Sequence, residues 1–352
     1  LNIFHLLSGA PYGGVERQVE RMVSALQPHK MVQRVMLRHN HARAERLAAI
    51  GAVAVAMSFP SRFAFLDRRK INSEIRRFNP DLVISWTADV APFVEKGAFV
   101  HLGRIGSDFN GSLLANCDHL FTPSTSRADK AKNAQIPSQR VHVLPHLPAL
   151  DAGAREIKPL ARKKYFTPPA SKLIVTAARL EKDSGLDVLF KALARLPDHY
   201  LWVAGDGDER ELLEAQAHEA GVKPRTRFIG WHDDLAPIIA AGDVFVCPSP
   251  HEDVGDVVLE AWGAGAPVVA ADALGPGLLI RDQDNGLLVR VGDPVGMAEA
   301  IKWLCKDAEM ARKLGAAGKA SVTGSYAADK IVPQYLDLFK KLASELAPKM
   351  GA

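Results

Sequence analysis

Residues 2–26 read NIFHLLSGAPYGGVERQVERMVSAL, and this stretch sets the expected architecture. Asn2 to Leu7 is apolar and of strand length, Gly13 and Gly14 interrupt it, and Val15, Val19, Met22, Val23 and Leu26 then recur at helical spacing. The pattern is a strand, a glycine turn and a helix. Such a turn lets backbone approach a ligand closely, and the helix behind it offers free amides to an anion. The spacing is not the GxGxxG of a dinucleotide fingerprint, and no GxxxxGK[ST] P-loop occurs in the chain.

The alternation continues outward. Strand-type runs at Arg34 to Leu37, Ala52 to Met57, Asp81 to Trp86, Phe99 to Ile105, His119 to Pro123 and Val141 to Leu144 are separated by helical or loop segments. In one of these, Ile71, Ile75 and Phe78 form an apolar stripe with Arg68, Arg69 and Arg76 off it. Residues 151–170, with Pro159, Pro168, Pro169 and a Lys/Arg cluster, read as a linker. A second set follows at Leu173 to Ala178, Tyr200 to Ala204, Thr226 to Ile229, Val244 to Cys247 and Pro267 to Ala271. This predicts an α/β protein of two doubly wound, Rossmann-like domains facing a cleft. The expected bounds are 1–165 for an acceptor-side domain with its linker, 166–325 for a donor domain, and 326–352 for a last helix packing back on the first domain.

The chain has 352 residues, 47% hydrophobic and 24% charged, which suits two domains with real cores and excludes disorder or a fibre. No apolar run approaches the ~18 residues of a membrane span, and the opening residues lack a signal-peptide layout. Cys117, Cys247 and Cys305 are widely spaced, so neither a disulfide framework nor a zinc knuckle is signalled. A cytoplasmic protein is expected. The net charge of +4 hides an asymmetry: residues 1–165 hold 24 basic and 13 acidic side chains, residues 166–352 hold 20 and 27. The basic half is expected to face something anionic, such as the inner surface of the cytoplasmic membrane. It lacks the interleaved aromatics of a nucleic-acid binder, so no nucleic-acid partner is expected.

Open parallel sheets bind ligands at the carboxyl ends of their strands. There, residues 247–270 read CPSPHEDVGDVVLEAWGAGAPVVA, with Glu252 in a loop after a strand and Glu260 about one turn into the next helix. Helix amides suit a diphosphate, and a nearby carboxylate accepts hydrogen bonds from vicinal hydroxyls. A sugar nucleotide has both groups.

This stretch resembles the Glu-x7-Glu signature of family 4 retaining glycosyltransferases with the GT-B fold, of the bacterial surface-polysaccharide or lipopolysaccharide type. Other pieces follow in the family's order: Gly13-Gly14-Val15-Glu16, Ala177-Ala178-Arg179-Leu180, Val203 to Asp208, Phe228-Ile229-Gly230, and Asn285-Gly286-Leu287-Leu288-Val289. The resemblance implies a metal-independent hexosyltransferase that needs no cofactor, with a UDP- or GDP-type sugar as donor and a glycan or lipid-linked acceptor. It assigns Arg179, Lys182 and Glu252 to catalysis, the first two on the diphosphate. Gly13, Gly14, Gly205, Trp231, His232, Asp253, Val254, Gly255 and Glu260 fall to donor binding, with Glu260 on the ribose and Trp231 by the base. Glu16, His101, Arg104 and Asp108 fall to the acceptor side.

The sequence departs from the family in places. Ser184 stands where a second phosphate-binding lysine belongs, Asp253-Val254 replaces Gly-Phe, Leu278 replaces an acidic residue, and Pro145-His146-Leu147 replaces Pro-Asn-Gly. Two rivals follow: a sugar-nucleotide epimerase of the same fold, and a non-catalytic sugar-nucleotide or glycan-binding protein. Asp206-Gly207-Asp208 spells DxD but sits in a glycine turn, and His142 and His146 flank a strand end, so no metal site is expected.

Overall fold

A computed structural model describes residues 1–9, 13–38, 40–57, 64–106, 109–147, 156–252 and 254–346. The chain divides into two compact units, residues 1–150 with 328–352, and residues 151–327.

The first unit runs β1 (Asn2–Leu7), α1 (Gly14–Leu26), β2 (Val32–Arg38), α2 (His41–Ala49), β3 (Val53–Met57), α3 (Ala64–Phe78), β4 (Leu82–Ser85), β5 (Val100–Arg104), β6 (His119–Thr122), α4 (Thr125–Asn133) and β7 (Val141–Val143). Its strands form a parallel sheet in the order β3-β2-β1-β4-β5-β6-β7. The order reverses at β1, so Gly13 and Gly14, which open the helix after β1, follow a strand at the topological switch point. Phe4, Leu6, Met36 and Val83 pack with Ile71 and Ile75 of α3 on one face, which leaves the basic side of α3 to solvent.

The second unit runs β8 (Lys172–Ala177), α5 (Leu186–Ala194), β9 (His199–Ala204), α6 (Arg210–Glu219), β10 (Thr226–Gly230), α7 (Ala236–Ile239), β11 (Val244–Cys247), α8 (Asp256–Gly263), β12 (Val268–Ala271), α9 (Leu274–Leu279), β13 (Leu287–Val289), α10 (Pro294–Lys306) and α11 (Ala308–Thr323). The parallel order is β10-β9-β8-β11-β12-β13, so β8 and β11 are adjacent at the switch point. β8 is buried on both faces, and its residues alternate between them. Leu173 and Val175 join Trp202, Phe245 and Trp262 on one face, while Ile174 joins Leu189, Phe190 and Leu193 on the other. The fold is therefore two parallel-sheet, Rossmann-like units.

The boundary differs from the expected one after residue 165. Residues 156–165 belong to the second unit because they are bonded into it: Leu160 N–H donates to Pro237 O, Arg162 pairs with Asp243 at 3.0 Å, and the Tyr165 ring meets Trp202 edge-on. Proline and basic residues suggested a solvated linker, but Arg162 is a strap that also donates to Ala241 and Ser171 carbonyls. The last helix, α12 (Ala328–Ser344), is grouped with the first unit. It buries Ile331, Val332, Tyr335, Leu336, Phe339 and Leu342, and the Tyr335 hydroxyl donates to Pro145 O at 2.8 Å.

Candidate active site

In the second unit the loops after β8 and β11 carry the chemistry. The first is residues 178–185, ARLEKDSG. It is held by the turn after β9: Ala178 N–H donates to Ala204 O, Leu180 N–H to Asp206 O, and Glu209 N–H to Leu180 O. Gly205 makes this approach possible. Its φ of +135° is a glycine conformation, and a Cβ there would run into the Ala178 carbonyl. Leu180 is fully buried as the anchor, while Arg179 and Glu181 on either side of it are exposed. Arg179 Nη1 donates to Glu181 Oε1 at 3.0 Å. Lys182 is exposed and has no partner among the described residues.

The two loops meet at Gly185. Its φ is +76°, and any side chain would collide with the Pro248 carbonyl of the loop after β11. Helices α5 and α8 follow these two loops, behind neighbouring strands, and both have a glycine as N-cap, Gly185 and Gly255, which offers no capping side chain. Two positive helix ends at one switch point suit a polyanion. Just before α5, Ser184 is buried, 6% exposed, and its Oγ has no hydrogen-bond partner among the described residues.

Glu252 organises its own loop. Its Oε1 accepts from Gly255 N–H at 2.9 Å and Val254 N–H at 3.3 Å, and its carbonyl accepts from Gly275 N–H at 2.7 Å, which fastens the loop to α9. Burial, reinforced by the Glu252 charge, pushes the Cys247 thiol well up, so this cysteine stays protonated beneath the loop. Glu260 is the fifth residue of α8 and is half-buried. After β10, Trp231 donates to Asp233 Oδ1 at 3.0 Å, and His232 Nε2 lies 3.2 Å from both the Tyr165 hydroxyl and Ile229 O. Leu278 on α9 is 66% exposed. Asp253 lies outside the described residues.

The structure thus brings Arg179, Lys182, Gly205, Val254, Gly255, Glu252, Glu260, Trp231 and His232 to the carboxyl-end loops or following helices of one sheet. Glu181 escaped sequence reasoning. The alternating charges of Arg179, Glu181, Lys182 and Asp183 were its only signal.

The remaining candidates lie in the first unit. Gly13 and Gly14 open α1, and the Glu16 carboxylate folds back over Gly13, into the space a side chain there would fill. His101, expected on the acceptor side, belongs instead to the sheet interior. It is 1% exposed as the second residue of β5, its Nε2 is 2.8 Å from Ser85 Oγ, and its backbone N–H donates to Asp118. Burial lowers its pKa to about 4, so it is neutral at physiological pH and serves the core. Arg104 does reach the end of β5, but it is 6% exposed and packs against His146, Nη2 to Nε2 3.4 Å. Asp108 lies outside the described residues. Among the described residues no cluster of three His, Cys, Asp or Glu side chains could hold a metal ion, and no helix is long and apolar enough to cross a membrane.

Residues 157–321 match the family described as glycosyl transferases group 1. The chain is 32% identical to the lipopolysaccharide core biosynthesis glycosyltransferase LpsE of Rhizobium meliloti strain 1021, over 93% of this chain and 95% of that one. The chain belongs to the group 1 glycosyltransferases. LpsD of the same strain, a second lipopolysaccharide core biosynthesis glycosyltransferase, is 31% identical over 97% of this chain and 98% of its own. Among solved structures, Anabaena Alr3699/HepE in complex with UDP-glucose superimposes with a TM-score of 0.83 at 19% identity, covering 97% of this chain and 99% of that one. This glycosyltransferase therefore has the GT-B fold.

Proposed function

We propose that this group 1 glycosyltransferase is a family 4 enzyme that moves a hexosyl group, with retention of anomeric configuration, from a nucleoside diphosphate sugar to a lipopolysaccharide-type glycan or its lipid-linked precursor. The observation that carries the proposal is the meeting of the loops after β8 and β11 at Gly185 and Pro248, with Arg179 in the first loop and Glu252 in the second. The relatives named for lipopolysaccharide core biosynthesis support the acceptor class, and the UDP-glucose complex of a fold neighbour supports a UDP-type donor.

The chemistry follows from charge. Breaking the glycosidic bond places negative charge on the leaving diphosphate, which helix amides and the Arg179 and Lys182 cations stabilise. Glu260 meets the ribose hydroxyls and Glu252 those of the sugar, its loop being pre-set by its own hydrogen bonds. The acceptor hydroxyl attacks on the face the diphosphate leaves, and the leaving oxygen takes its proton, so no separate base is required. With these cations in place, no divalent metal or cofactor is called for.

We propose that the acceptor side lies in the first unit and rests on the inner, anionic face of the cytoplasmic membrane. That unit holds 23 basic and 14 acidic residues, a net +9. At the start of α3, Phe65 and Leu66 are exposed, and the exposed basic residues Arg68, Arg69 and Lys70 follow in the next turn. The core proposal is tested by melting the protein with UDP, GDP, ADP and their sugars. A rise with one nucleotide series is expected, because a ligand bound by the folded state alone stabilises it, and no response to any would refute the donor site.

A further inference from the structure

The loop that carries Arg179 is electrically balanced. Residues 178–185 hold Arg179 and Lys182 against Glu181 and Asp183, and Ser184 brings no charge. A diphosphate needs cations there, yet the Arg179 guanidinium already has a carboxylate at 3.0 Å. The pairing is built into the backbone. Glu181 N–H donates to Arg179 O at 2.9 Å, a tight turn that brings the two side chains together. Leu180 between them is held on both sides by the turn after β9.

We propose that Glu181 is an internal competitor for Arg179: its carboxylate occupies the guanidinium that a diphosphate oxygen must engage, and so it sets how tightly donor and released nucleotide are held. The inference rests on the reading that Arg179 binds the diphosphate. Both side chains are more than half exposed, 62% and 55%, so their mutual attraction is screened and a diphosphate displaces Glu181 at modest cost. The competition weakens binding by a small factor and speeds release of the nucleoside diphosphate. A lysine at position 184 would have supplied a cation outside the pair, and with Ser184 there the occupancy of Arg179 matters more.

The test is calorimetric titration of UDP and UDP-glucose into the full-length wild type, E181Q, R179A and the double variant R179A/E181Q. E181Q is isosteric and exposed, and unchanged thermal melting checks its fold. It should bind both ligands about two- to five-fold more tightly, the range of an exposed ion pair, with KM for the donor falling by a similar factor. R179A should weaken both, and E181Q should have no effect in that background. If R179A weakens binding while E181Q leaves it unchanged or weaker, or if the effect of E181Q persists without Arg179, the competition is refuted and the diphosphate reading stands. If R179A binds as tightly as the wild type, the diphosphate reading itself fails, and the competition with it.

Discussion

Glu252 Oε1 accepts the backbone N–H of Gly255 at 2.9 Å, so the first glutamate of the Glu-x7-Glu pair sets the residue from which α8 starts. One side chain thereby joins loop geometry to ligand chemistry. A glutamine at 252 keeps an oxygen for the amides but loses the charge, whereas an alanine loses both. Losing hydrogen bonds to an ionised group costs about 1.5–3 kcal/mol, so Glu252→Ala should lower kcat/KM by roughly 10- to 100-fold. Glu252→Gln should fall between it and the wild type. Steady-state kinetics on the three proteins checks the order, and equal losses would mean that the charge alone matters.

Gly205 is the clearance on which the Arg179 loop depends. Gly205→Ala would put a methyl into the Ala178 carbonyl from a φ of +135°. The strain should cost on the order of 2 kcal/mol of the second unit's stability. Nucleotide binding should weaken with it, because Arg179 shifts. Urea denaturation with parallel calorimetry tests this, and unaltered binding would detach Arg179 from the turn after β9.

Acid should loosen the first unit before the second. Burial lowers His5 and His101 to about 4, against an ordinary value of 6.5, and both belong to that unit. Between those values the unfolded chain holds more protons, so stability rises with pH through the window and is fully present above about 6.5. Descending from pH 7 to pH 4.5 should cost roughly 2–3 kcal/mol for each histidine. Hydrogen exchange at pH 7 and pH 5 should show protection lost first in β1 and β5, and preferential loss in β8 and β11 would contradict this.

Membrane attachment should depend on α3. Replacing Phe65 and Leu66 by serine together with Arg69→Glu should abolish sedimentation with vesicles containing phosphatidylserine or phosphatidylglycerol, while UDP affinity stays unchanged. Wild-type binding should fall as salt rises. Neutral vesicles binding as well as anionic ones would refute the electrostatic part.

Much of the fold was legible because its signals are local. Short apolar runs and helical stripes signalled both parallel sheets, and β1 and the α1 that Gly14 opens lie where their apolar patterns put them. What escaped depends on contacts distant in sequence. Residues 156–165 looked like a linker until Arg162 met Asp243, some eighty residues on. His101 looked available because a single strand histidine gives no sign of Ser85 and Asp118 lying beside it. Glu181 looked like one charge among several, since only the tight turn at Leu180 shows which cation it meets.

The most direct test of the central claim is proton NMR of wild-type enzyme incubated with an α-linked UDP-hexose and a truncated lipopolysaccharide core acceptor, in buffer containing EDTA. Release of UDP with a new α-linked sugar on the acceptor is predicted, undiminished by the chelator. A β-linked product, or a new free sugar nucleotide formed without acceptor, would contradict retaining transfer.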